Sequence, residues 1–361
     1  MRARWGLGWL VASSLAAACG GGSSSNGGPG DGGMDATADS GGGPDGSGGT
    51  PEAGGGETSS PDDASSGPDA SATPDSASSP DADAGAPPEA GSVDADCSPS
   101  MTYGGGEMSV AGTKTVTAKI VDETGAPVSG QPVFICGLDI CSAPSMTDMT
   151  GAVTISTTLS EKKPAFKVGD TLNYNEFAIP LTQASTDFTQ GGTAVLTLGA
   201  LSNKPGAALT PGTSATSGDV TIDVPAGTTV GIDQLAYPTA SEQELRTVSI
   251  PLASDGPVLA SSGVTGFGLL YGLAPAETPV CPPVKVTVQL PHVSMMPNDL
   301  GWAPGSAVEF WIMTIDTGQT YAPYAGWAKA SDGVVSADGK SVSTASGQGL
   351  IFLESFAIRK P

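Results

Sequence analysis

The run Thr115-Val116-Thr117-Ala118-Lys119-Ile120-Val121 alternates, with Val116, Ala118 and Ile120 on one side and Thr115, Thr117 and Lys119 on the other. A period of two is the signature of a strand with one buried face. The turn residues Asp122-Glu123-Thr124-Gly125-Ala126-Pro127 then reverse the chain. Outward from this run, further strands are predicted at Val133 to Cys136, Ala152 to Thr157, Phe177 to Leu181 and Ala194 to Leu198, with no amphipathic helix between them. Short strands at this spacing predict an antiparallel sandwich or barrel.

From about Leu201 the pattern continues. Val220 to Thr228 opens the segment, Val284-Lys285-Val286-Thr287-Val288-Gln289-Leu290-Pro291 alternates across its middle, and Val308 to Ile315 is an apolar run. Gly333 to Val342 reads as a hairpin around Asp338-Gly339, and a last strand runs from Gly349 to Ile358. The expected fold class is all-β, with two antiparallel β-sandwich modules over residues 97–200 and 201–361.

Before Cys97 the texture is different. Arg2 and Arg4 precede an apolar stretch from Trp5 to Ala12, followed by Ser13-Ser14-Leu15-Ala16-Ala17-Ala18-Cys19. That order is an export signal, too short to remain as a spanning helix. Small residues up to a cysteine resemble the lipobox of bacterial lipoproteins, with Leu15 one place further out than the usual leucine and Ala16 in its place. The resemblance implies a signal peptide over 1–18 and an acylated Cys19 as the first mature residue; the alternative is an ordinary secretory signal cut after Ala18. Residues 19–96 then read as a disordered acidic tether. Between Gly20 and Asp96 there are 15 Asp and Glu and no Lys or Arg, so the segment repels itself and has little apolar surface to bury. Its reach is on the order of 50 Å or more. Asp81-Ala82-Asp83-Ala84-Gly85 is only a fragment of a calcium loop, and a solvated spacer is the expectation.

The 361 residues carry 52 Gly, 30 Pro and a formal charge of -23, which excludes the basic surface that nucleic acid requires. His292 is the only histidine, which rules out an HExxH site and a histidine-rich zinc site, and no Gly-x-Ser-x-Gly elbow occurs in the folded part. Gly339-Lys340-Ser341 joins two predicted strands and lies one residue too far from Gly333 for a phosphate loop. No catalytic residue, cofactor or metal ligand is therefore expected.

Four cysteines remain after Cys19, and four permit three pairings. Cys136 and Cys141 flank a loop short enough to close locally, with Cα atoms expected about 4.4 to 6.8 Å apart. If they pair, Cys97 is left for Cys281. A four-cysteine metal site is the alternative, disfavoured because paired C-x-x-C knuckles are missing. Trp302 and the Tyr321 to Trp327 segment, the latter broken by Pro323 and Gly326, lie in turn-rich sequence; any ligand contact is expected at Trp302, Tyr321, Tyr324 and Trp327, as rings that stack on sugars or anchor a protein, against the plainer reading that these rings cap the core. Trp311, inside an apolar run, is expected in the core.

Ile120 to Gly130 together with Thr147-Asp148-Met149-Thr150-Gly151-Ala152-Val153 resembles the carboxypeptidase-regulatory or transthyretin-like β-sandwich family, which implies a structural module. Some relatives carry a lysine-to-asparagine crosslink; Lys119 falls on the polar side of its strand, so none is expected here. Val224-Pro225-Ala226-Gly227, Tyr271-Gly272-Leu273-Ala274-Pro275 and Pro283 to Pro291 resemble the sandwich family of zonula occludens, netrin-receptor and ankyrin proteins, which implies an interaction module. The expected function is a non-catalytic outer-membrane lipoprotein, on the cell surface or periplasmic face. It is held to the membrane by its lipid anchor and offers a structural or adhesive module to a protein or glycan. The alternatives are a carbohydrate-binding protein using the C-terminal aromatics and a divergent hydrolase.

Overall fold

The computed structural model describes residues 109–361 apart from 171, 182–184, 189–195, 253–257, 259–263, 293–295 and 317. The signal peptide, Cys19, the tether and Cys97 lie outside the described residues. The fold is all-β, and the described residues form 21 strands.

Lys114–Asp122 is the centre of the first sheet, with Ala152–Thr157 antiparallel on one side and the short strands Ser185–Asp187 and Leu196–Leu198 parallel on the other. Its alternation is the expected one, since Val116, Ala118 and Ile120 are fully buried. On the outer face Thr115 pairs with Ser156 and Thr117 with Thr154 through hydroxyls 2.9 and 3.3 Å apart. Such cross-strand pairs hold the register of a polar face. A second sheet, in the order Ser145–Met146, Pro132–Cys136, Ala165–Asp170, Tyr174–Pro180, supplies Val133, Ile135, Phe166, Val168, Phe177 and Ile179 to the same core.

Two copies of one turn shape this half. Asp122-Glu123-Thr124-Gly125-Ala126 and Asp148-Met149-Thr150-Gly151-Ala152 each place an aspartate Oδ1 to accept from the threonine N–H, the threonine hydroxyl and the alanine N–H. Donors from Thr150 and Ala152 hold the Asp148 carboxyl below its ordinary range; burial alone would raise Asp122, but its donors from Thr124 and Ala126 outweigh it. Gly151 is at φ +76, and a Cβ there would lie 2.2 Å from the Ile120 carbonyl oxygen, so only glycine fits.

The second half is one large antiparallel sheet. Its order is Thr213–Ser217, Val220–Val224, Thr278–Gln289, Ser341–Thr344, Trp327–Val335, Ala307–Met313, Phe356–Arg359, Phe267–Ala274, Arg246–Ser249. The two edges meet, because Thr247 N–H donates to Ser217 Oγ at 3.0 Å and Ala207 bridges Leu245. Near-closure leaves almost no free edge and encloses Ile222, Val286, Phe310, Tyr271 and Phe356, the last two rings stacked 5.3 Å apart. The hairpin turn at Gly339 has φ +72, as the Asp-Gly pair predicts. The expected last strand is two strands, Leu350–Leu353 and Phe356–Arg359, broken at Glu354-Ser355.

Both halves lie in one compact unit. Leu270, Trp311, Met313, Trp327 and Ala357 face out of the closed sheet and join the core made by Val168, Phe177 and Ile179 of the first half. Burial on both faces explains why Phe267–Ala274 reads Phe-Gly-Leu-Leu-Tyr-Gly-Leu-Ala without alternation.

Candidate functional site

The aromatic residues expected to meet a ligand are packed away. Trp302, Tyr321 and Trp327 are 7%, 1% and 1% exposed, so the expectation of exposed rings does not hold. The Trp302 ring covers Gly268, where a Cβ would fall 2.6 Å from the indole, and its backbone is clamped by Asn298. Tyr321 leans on Phe352 with ring centroids 4.9 Å apart and donates its hydroxyl to the Met313 carbonyl at 2.8 Å. Trp327 packs against Phe267 at 5.6 Å. Pro323 and Gly326 do break the strand, yet the broken segment folds back on the closed sheet: Thr314 donates its hydroxyl to the Pro323 carbonyl and its N–H to the Gly326 carbonyl. An irregular backbone thus covers a core here and presents no flat platform. Tyr324, half-buried, packs at the join between the halves.

That join is where charge collects. Lys167 and Glu176, on neighbouring strands of the first half, form an ion pair at 3.3 Å, and Lys167 also reaches Glu277 of the second half at 3.5 Å. Glu277 sits in the turn before Thr278–Gln289 at φ +58. Its N–H donates to Glu354 Oε2, which also accepts from Gln319 Nε2, while Glu354 Oε1 accepts from Ser355 N–H. Beside the carboxylates, Asn175 donates to Ser355 Oγ at 3.2 Å, and the Ser355 hydroxyl donates to the Glu176 carbonyl. Gly272 permits this approach, because a Cβ there would lie 2.7 Å from Asn175.

Burial, reinforced by Glu176 and Asp316 and opposed by Lys167, pushes the Glu277 carboxyl up to about 7. Glu354, fully buried and facing Glu277 and Glu176, is raised well above its ordinary range. Burial raises the Tyr324 hydroxyl to about 12 against the pull of Lys167. None of these carboxyl groups was among the residues expected at a site. Their signal in the sequence is faint, since Glu176, Glu277 and Glu354 lie about a hundred residues apart.

Lys119 does face outward, but Lys114 begins the same strand on the buried side, 2% exposed, with Nζ 2.8 Å from Glu161 Oε2. Nζ also donates to the carbonyls of Val110, Gly112 and Leu159. Acceptors on every side suit an ammonium, and the charged partner is the Glu161 carboxylate. Nearby, Thr113, Ser142, Ala143, Ser156, Thr157, Thr158 and Leu159 line a hydroxyl-rich pocket of about 390 Å³.

Cys136 and Cys141 are disulfide-bonded as expected, with Cα atoms 3.9 Å apart, closer than anticipated because the two residues also face each other as bridge partners. Cys281 is disulfide-bonded too, and Cys97 lies outside the described residues. Replacing both Cys136 and Cys141 by Ser is expected to cost about 2 kcal/mol in urea unfolding, the value for so short a loop. A loss near zero contradicts it.

No family model matches this chain, and neither a curated protein nor a solved structure is similar to it.

Proposed function

We propose that this is a non-catalytic, lipid-anchored protein of the bacterial outer membrane whose β unit serves as a structural or adhesive module behind its acidic tether segment. The observation that carries the reading is the order of the N-terminus: basic residues, an apolar stretch, small residues, Cys19, and then 15 acidic residues without a cation between Gly20 and Asp96. Disulfide bonds suit an exported protein. The family resemblances, one to a structural sandwich and one to an interaction sandwich, point the same way. The glycan alternative loses the exposed rings on which it rested.

Changing Cys19 to Ser is expected to move the protein from the membrane to the soluble fraction. Protease treatment of intact cells then separates the two faces, cleavage within the tether marking surface display. A Cys19→Ser variant that stays with the membrane, alongside a wild-type N-terminus without lipid, defeats the anchoring proposal.

A further inference from the structure

The seam between the halves holds more acid than base. Lys167, on Ala165–Asp170, faces Glu176 on Tyr174–Pro180 and Glu277 in the turn before Thr278–Gln289. Glu354 faces them from between the last two strands, with Asp316, Tyr321 and Tyr324 from the segment after Ala307–Met313 and Tyr237 from the loop before Arg246–Ser249. Glu161, farther off, acts on Tyr324. Lys167 reaches two of the three glutamates; Glu354, fully buried, is met by two backbone N–H groups and one amide. A buried carboxylate without a cation is costly, and protonation removes that cost.

We propose that this seam is a proton-operated fastening: while it holds a proton beyond that of Lys167 the two halves are locked, and loss of that proton loosens their contact. The geometry couples the acid to the join, because the Glu277 N–H that binds Glu354 belongs to the residue whose carboxylate binds Lys167 across it. Ser355, next to Glu354, carries the remaining hydrogen bonds to Asn175 and Glu176.

The sign follows from linkage. Glu277 is raised from its ordinary 4.5 to about 7, so its contribution to stability is complete below pH 4.5 and is lost as pH rises towards 7. With partial exposure of Glu277 discounted, thermal unfolding of the full-length protein is expected about 5 °C lower at pH 8 than at pH 5. Glu277→Gln and Glu354→Gln should each flatten that slope, and amide exchange at Glu277 and Ser355, corrected for intrinsic rates, should quicken with pH in the wild type. Infrared spectroscopy should show a buried protonated carboxyl band in the wild type at pH 6 that Glu277→Gln and Glu354→Gln each reduce. A melting temperature that is flat or rises between pH 5 and 8, glutamine variants with the wild-type slope, or no protonated carboxyl band each overturns the proposal.

Discussion

Lys114→Met is expected to cost about 3 to 5 kcal/mol of folding free energy, because it leaves the Glu161 carboxylate sealed in the fold without its cation. Both side chains of the pair are at most 2% exposed, so water cannot take the place of the missing partner. Three carbonyls lose their donor at the same time, among them that of Val110 in the first described strand, which pairs with Glu161-Lys162. Glu161→Leu should cost a similar amount for the opposite reason, an ammonium left with carbonyls alone. The double variant Lys114→Met/Glu161→Leu should recover part of the loss, since removing both charges leaves only the carbonyls to satisfy. Urea unfolding of the four proteins measures this as a double-mutant cycle. Single-variant losses below about 1 kcal/mol, the scale of an exposed pair, would show that the pair is solvated and that its burial is not felt.

Tyr321→Ala is the second large loss, about 3 to 5 kcal/mol, on the scale of emptying an aromatic core site. The ring is 1% exposed, packs on Phe352 and sits where the 314–326 segment closes over the sheet. Tyr321→Phe keeps the ring and removes only the donor to the Met313 carbonyl, so it should cost about 1 kcal/mol. The difference between the two variants separates packing from hydrogen bonding. It also decides between core and ligand platform: a ring used for binding would show unchanged stability in Tyr321→Ala together with lost attachment to cells or glycans. A melting temperature unchanged in Tyr321→Ala would reject the packing role assigned here.

The strands were legible where one face is wet. Lys114–Asp122 and Ala152–Thr157 alternate between core and solvent, and their positions can be read directly from the residues. Asp338-Gly339 marks its hairpin because few residue pairs tolerate that backbone. Phe267–Ala274 was not read as a strand, since it is buried on both sides and period-two alternation vanishes when no face is wet. Lys114 was missed because it lies one residue before the run that was read, and a lysine at a strand start is ordinarily a solvated end. Pro323 and Gly326 mark the aromatic segment from Tyr321 to Trp327 as turn-rich. Those residues report backbone irregularity, and irregular backbone can roof a core as well as leave it.

What the sequence by itself determined is local: the all-β class, the Asp-x-Thr-Gly-Ala turns and the local Cys136–Cys141 bridge. Each rests on neighbours within a few residues, where spacing and composition act directly. The tertiary structure alone decided that the second sheet nearly closes through Ser217 and Thr247, that its outer face shares a core with the first half, and that Glu176 and Glu277 converge on Lys167 while Glu354 accepts from the Glu277 N–H. These depend on contacts between residues far apart in the chain. Burial, not residue type, then sets what each carboxyl group does, because the cost of a charge depends on the water and the partners left around it.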